Sequence, residues 1–236
     1  MKNLFCVFIG IVLFSKVIYS QDQYNLIRIK GGYGSYSMGD MEKIQNFIVS
    51  TYKQQNIKAS VVDKFPSFWN FELQFSRNLF NSFYIIGSMG FSSTGGRVHY
   101  GDFSGEVKLD QLVKANSFGL GAEYCFNPEE TLKYYTGLHF NLVFSTLEMN
   151  DFIRIYNETD KQVTKFESSG FGFEPLMAIE YELEPFFFRL DMSFFLNLNG
   201  PYYFQDSNDL ELKLDGNEVS PDWTGYRVGF SVGIGF

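Results

Sequence analysis

The stretch from Trp223 to Phe236, WTGYRVGFSVGIGF, limits what this chain can fold into more than any other segment. Tyr226, Val228, Phe230, Val232, Ile234 and Phe236 alternate with Gly225, Arg227, Gly229, Ser231, Gly233 and Gly235. A strict period of two puts every apolar side chain on one face of a strand and the small or polar ones on the other. The second face is mostly glycine, which suits a cramped interior better than open water. The pattern predicts a transmembrane β-strand, with its apolar face toward lipid and its other face toward a barrel lumen.

The amino terminus agrees. Met1, Lys2 and Asn3 make a short basic start, and Leu4 to Phe14 is an apolar run of signal-peptide length. It falls short of the roughly 20 residues a membrane helix needs. Residues 1–20 are expected to be a signal peptide cleaved after Ser20, with 21–236 forming a single barrel domain. Cys6 stands too early for a lipidation site, and Cys125 alone cannot form an intrachain disulfide. Without a helical span, a membrane protein must close a barrel. The 28 Phe and 15 Tyr fit a lipid-facing surface with interfacial girdles. The formal charge of −8 becomes more negative once Lys2 and Lys16 leave with the signal, which argues against a nucleic-acid partner.

Period-two patterning recurs in eight segments: 24–36, 66–77, 82–93, 112–126, 132–147, 170–183, 186–198 and 223–236. The connections alternate between short ones (78–81, 127–131, 184–185) and long ones (37–65, 94–111, 148–169, 199–222). The expected fold is all-β, an eight-stranded antiparallel transmembrane up-and-down β-barrel with both termini periplasmic and four longer outward loops. In the first long loop, Asp40 to Gln54 reads as a helix with Met41, Ile44, Phe47, Ile48 and Tyr52 near helical spacing and Asp40 as its cap. FIRIY and VTKF in the third loop, and LELKL in the fourth, predict hairpins that continue the barrel wall.

Alternation points Arg28, Lys30, Glu72, Glu123, His139, Glu174, Glu180, Arg189, Asp191 and Arg227 into the lumen. Eight strands leave an interior just wide enough for side chains to fill. Charges there must pair, because isolated ones are costly to bury. The reading is an ion-pair plug, with a narrow polar path as the alternative.

One loop carries a catalytic-looking mixture: Ser92, Ser93, Arg97, His99, Asp102, Ser104 and Glu106. Nucleophilic catalysis would need His99 within reach of a serine and an acid. The surrounding Gly95, Gly96, Gly101 and Gly105 favour an ordinary turn instead. Arg97, His99 and Asp102 stand as candidate outer-loop contacts, with Arg97 pairing to Asp102 or Glu106 or touching a lipid A phosphate. Two histidines and one mature cysteine give no zinc spacing, and no phosphate-binding loop is present. Asp206, Asp209, Glu211, Asp215 and Glu218 read as a solvated acidic loop rather than a calcium site.

Signal peptide, eight alternating segments and terminal phenylalanine together resemble the small OmpA/OmpX-type outer-membrane β-barrels of Gram-negative bacteria, over essentially the whole mature chain. GGYGSYSMGDM (Gly31–Met41) and STGGRVHYGDFSGE (Ser93–Glu106) are similar to a subgroup of such barrels, which brings no catalytic residues to carry over. The resemblance implies export to the bacterial outer membrane and contact with lipid bilayer and lipopolysaccharide. It also implies insertion by the barrel-assembly machinery, with Tyr226, Phe230 and Phe236 as the assembly signal and no cofactor. The expected role is structural or surface-binding and not enzymatic. A narrow pore for small or apolar molecules and a lipid A-modifying enzyme centred on His99 are the alternatives. A soluble lipocalin-like barrel is disfavoured by the phenylalanine stripes.

Overall fold

The computed structural model describes residues 25–103, 105–156, 158–205 and 207–236. The expected signal peptide, Ser104, Asp206 and the Asp209 side chain lie outside the described residues. In chain order the elements are β1 (Asn25–Gly34), α1 (Gly39–Gln54), β2 (Ser60–Lys64), β3 (Phe68–Phe80), β4 (Phe83–Gly101), β5 (Gly105–Cys125) and β6 (Leu132–Ile155). Next come β7 (Glu158–Leu183), β8 (Phe186–Asn199), β9 (Tyr203–Phe204), β10 (Ser207–Glu211), β11 (Lys213–Leu214), β12 (Asn217–Glu218) and β13 (Gly225–Gly235).

Eight of these strands form an antiparallel ring. β1 pairs β3, each of β3 to β7 pairs the next strand, β8 pairs β13, and β13 returns to β1. Closure leaves no sheet edge around the ring. The segments 24–36, 66–77, 186–198 and 223–236 each form one strand at nearly the expected place, and the hairpin predicted from FIRIY and VTKF carries β6 on to Ile155 and starts β7 at Glu158. The expected loop 94–111 is instead strand: β4 runs on to Gly101, and β5 begins at Gly105. Asp102 closes this turn by accepting a backbone hydrogen bond from Gly105.

The two tall hairpins show a change of phase. Low in the barrel the apolar residues face outward, as in Phe118, Leu120, Leu138, Phe140, Leu142 and Phe144, while charged and small residues face inward. Higher up the pattern inverts: Val113, Leu109, Leu147 and Phe166 are buried inside, and Lys114, Asp110, Glu148 and Lys165 face out. The inversion falls at one level on four neighbouring strands. Phe91, Asn116, Phe144 and Ser169 are cross-strand partners in one row, and Ser93, Lys114, Thr146 and Glu167 form the next. The outer surface therefore changes from apolar to polar between these rows.

Above this level the wall gains β2, paired with β4 through Ser60 and His99, and α1 packs on its inner face. Three expectations need correction. Asp40 does not cap α1, because the helix already begins at Gly39 with Met38 at the cap in a left-handed conformation. Asp40 instead accepts from Lys43 and from the backbone of Ser220. Phe47 lies off the buried face, which is formed by Met41, Ile44 and Gln45. LELKL is not one strand of the wall: it divides between β10, which among the described residues pairs with the ring through the two residues of β9, and the separate β11–β12 ribbon.

Candidate functional site

All ten charged residues that alternation points inward face the lumen, and they meet in layers. Nearest the short-turn end, Arg28 donates to Glu180 through Nη2 at 2.7 Å and Nε at 3.1 Å. Tyr135 donates to the other Glu180 oxygen at 3.0 Å. Above them Arg189 grips Glu123 with two parallel bonds of 2.7 and 2.8 Å, and the His139 ring nitrogen lies 3.1 Å from the same carboxylate. Lys30 lies 2.6 Å from Asp191 and 3.7 Å from Glu72. Highest are Glu174 and Arg227, 3.5 Å apart, with Ser193 donating to Glu174 at 2.6 Å. The Arg227 guanidinium lies 3.9 Å from the centre of the Phe195 ring, a cation–π contact.

The strands position these groups by parity, and glycine makes room for them. A Cβ at Gly121 would sit inside the His139 ring, and one at Gly229 would collide with the end of Lys30. Glycine on the lumen face of one strand thus accommodates a long side chain from its neighbour. Fork-shaped pairing of arginine with carboxylate satisfies both partners, so the charges can stay buried.

At the outward end the lumen changes character. Inward-facing Val113, Ala115, Val143, Leu147, Phe166 and Phe195 meet Met38, Met41 and Ile44 of the α1 segment, together with Tyr36, Tyr202, Val219 and Trp223. Trp223 is 1% exposed, and its indole donates to Ser145 at 2.8 Å. Its ring meets Tyr36 edge-on at 4.9 Å. The first and last long connections are joined by backbone bonds from Ser37 to Thr224 and from Met38 to Asp222, each 3.1 Å. At the opposite end a cup of about 580 Å³ opens to solvent, lined by Tyr84, Lys133, Tyr135, Glu180, Glu182 and Phe187 among others.

Among the described residues the candidates of the β4–β5 hairpin do not converge on a catalytic set. Arg97 pairs with Asp110, not with Asp102 or Glu106. His99 lies 3.3 Å from Glu106, and Asp102 accepts from Tyr100 at 2.6 Å. Burial alone would raise the Asp110 carboxyl, but hydrogen bonds and charge from Arg97 and Lys108 outweigh it and hold the group below its ordinary value. Among the described residues no group of three or more His, Cys, Asp or Glu could hold a metal ion. Glu211 of the acidic loop pairs with Lys213 at 2.8 Å. Tyr226, Phe230 and Phe236 all lie on the outer face.

No protein-family model matches this chain, and no curated protein matches it in sequence. Solved structures do resemble it. The outer membrane protein OprG from Pseudomonas aeruginosa is 12% identical, with 92% of this chain and 97% of that one covered and a TM-score of 0.47. Neisserial surface protein A is also 12% identical, covering 91% of this chain and 99% of its own at a TM-score of 0.40. Ail, the attachment invasion locus protein of Yersinia pestis, solved with the heparin analogue sucrose octasulfate, is 13% identical, covering 92% of this chain and 100% of its own at 0.39.

The apolar cluster is what sequence reasoning missed. Phe195 stands on the lumen-facing side of its strand, where a polar residue is expected. Val113, Val143, Leu147 and Phe166 do the same on theirs. These intrusions, and an amphipathic helix in need of a partner, were the available signal.

Proposed function

We propose that this protein is an integral outer-membrane barrel with a closed lumen, acting through its outward surface as a structural or surface-binding protein. The observation that carries this reading is the apolar cluster of α1, Trp223 and Tyr202 across the outward end, stacked on paired charges. A solute crossing the lumen would have to displace a packed core and then separate buried ion pairs. Each is costly, because a broken buried pair leaves a charge without a partner.

The outer surface supports the membrane placement. Exposed Ile29, Leu73, Leu120, Phe140, Leu190 and Phe230 belong to a band that encircles the ring. From Tyr134 to Phe144, tilted strand geometry gives a height of about 25 Å, which matches the apolar band of such barrels. A tilted strand crosses a bilayer in about 9–11 residues. β6 and β7, at 24 and 26 residues, therefore stand well clear of it and offer a surface to ligands.

The test is reconstitution into phosphatidylcholine vesicles. The expected result is a protein that migrates differently before and after boiling, in vesicles that do not swell in small sugars. Swelling that rises with protein content would overturn the closed lumen. Failure to insert would overturn the membrane reading.

A further inference from the structure

The row at which the outer surface inverts holds a group with no use inside the protein. Lys114 faces outward from β5, with Ser93 of β4 as its cross-strand partner on one side and Thr146 of β6 on the other. Among the described residues none of these three side chains has a hydrogen bond or ion pair. Four other cations of this face are held by carboxylates: Arg97 and Lys108 by Asp110, Arg154 by Glu106, and Lys165 by Glu148, while Lys161 lies 5.5 Å over the Phe152 ring. The nearest acids to Lys114 are committed or distant. Glu148, diagonal on β6, holds Lys165 and Asn150, and Glu167 stands in the same row but two strands away.

Directly below, the surface hollows. A groove of about 480 Å³ runs between Ile29, Phe71, Leu73, Met89, Phe91 and Phe118, with Asn116 at its upper edge. Its lining is apolar on the lipid side, and Gly90 lies in its floor. One ammonium, two hydroxyls and an amide thus sit above an apolar channel, at the level where headgroups meet acyl chains.

We infer that this is a lipid site: the groove takes an acyl chain, and Lys114 with Ser93, Thr146 and Asn116 takes a phosphate of the outer-leaflet glycolipid, lipid A. Charge complementarity selects the occupant, since an ammonium flanked by hydroxyl donors suits a phosphate oxygen and the groove below suits only hydrocarbon. The inference rests on the outer-membrane reading and names a partner for that surface.

The full protein, refolded into detergent micelles, is incubated with bisphosphorylated lipid A, with the same lipid after phosphate removal, and with phosphatidylglycerol. Retained lipid is counted by native mass spectrometry. One retained lipid A is expected. Lys114→Gln should lower its occupancy about tenfold, in the range of a charge-assisted hydrogen bond, and Lys161→Gln on the hairpin should leave it unchanged. A second variant, Met89→Trp, should fill the groove and lower retention with Lys114 intact. Equal retention of lipid A with and without phosphate, or no effect of Lys114→Gln, would overturn the site. Phosphatidylglycerol retained as well as lipid A would overturn the glycolipid assignment. The gel shift on boiling separates these results from failure of the barrel itself, since each variant must show the folded band before its lipid is counted.

Discussion

Arg189 on β8 and Glu123 on β5 meet across the lumen through two parallel hydrogen bonds of 2.7 and 2.8 Å, 66 residues apart in sequence. Neither strand pairs with the other, so the contact braces opposite walls of the ring. Removing one partner leaves the other charged and buried. Glu123→Leu is expected to cost about 3–5 kcal/mol, whereas adding Arg189→Met should recover most of it. A double-mutant cycle from urea unfolding in micelles checks this, and additive losses would show that the two side chains do not act as a unit.

Trp223 holds the apolar cluster at the outward end. Trp223→Ala should destabilise the fold by about 3–5 kcal/mol through the cavity it leaves. Trp223→Phe keeps most of the packing and loses the bond to Ser145, for about 1 kcal/mol. The temperature at which the folded gel band disappears ranks the two. Equal behaviour would mean that the indole hydrogen bond, not its bulk, matters.

Gly121 and Gly87 separate crowding from backbone freedom. A Cβ at Gly121 meets His139, while one at Gly87, on the outer face, meets nothing within 4 Å. Gly121→Ala is expected to lose folded yield. Gly87→Ala should be neutral or gain about 0.5–1 kcal/mol from reduced chain freedom. Unfolding midpoints decide.

The apolar band predicts a depth-dependent penalty. Leu138→Arg, near its middle, should cost about 2–4 kcal/mol in bilayers. Val163→Arg, equally outward but on the tall hairpin, should change stability by about 0.5 kcal/mol or less. A soluble barrel would show no such contrast, since both side chains would face water.

Above the apolar band, Asp110 makes the β4–β5 hairpin acid-sensitive. Its carboxyl lies below the ordinary value in the folded state. The pairing with Arg97 and Lys108 is therefore fully present above the usual carboxylate range and is lost as pH falls through the lowered value. Amide protection in the upper part of β4, corrected for the intrinsic exchange rate at each pH, should fall at low pH in the wild type. Asp110→Asn should remove that pH dependence.

The ring was legible because a membrane barrel exposes its apolar residues, so Tyr226 to Phe236 and Leu138 to Phe144 announce themselves by period alone. The lumen charges came from parity, since Arg28, Glu123 and Arg189 fall opposite those stripes. The β4–β5 extension was not legible by the same rule, whereas FIRIY and VTKF announced the tall β6–β7 hairpin. Above the boundary row Val98, Leu109 and Leu147 turn inward and Arg97, Lys108 and Glu148 turn outward, so the alternation persists with its sense reversed. A search for outward apolar residues ends at Phe91 and takes the residues beyond Ser93 for loop. The partners of Trp223 and Met41 come from distant strands, and no local pattern pairs them.

Closure of the lumen is tested most directly by conductance. Purified wild-type protein, verified as folded by its gel shift, is inserted into a planar bilayer in concentrated salt. The account predicts a flat baseline. Stable, uniform steps from the wild-type protein would contradict it.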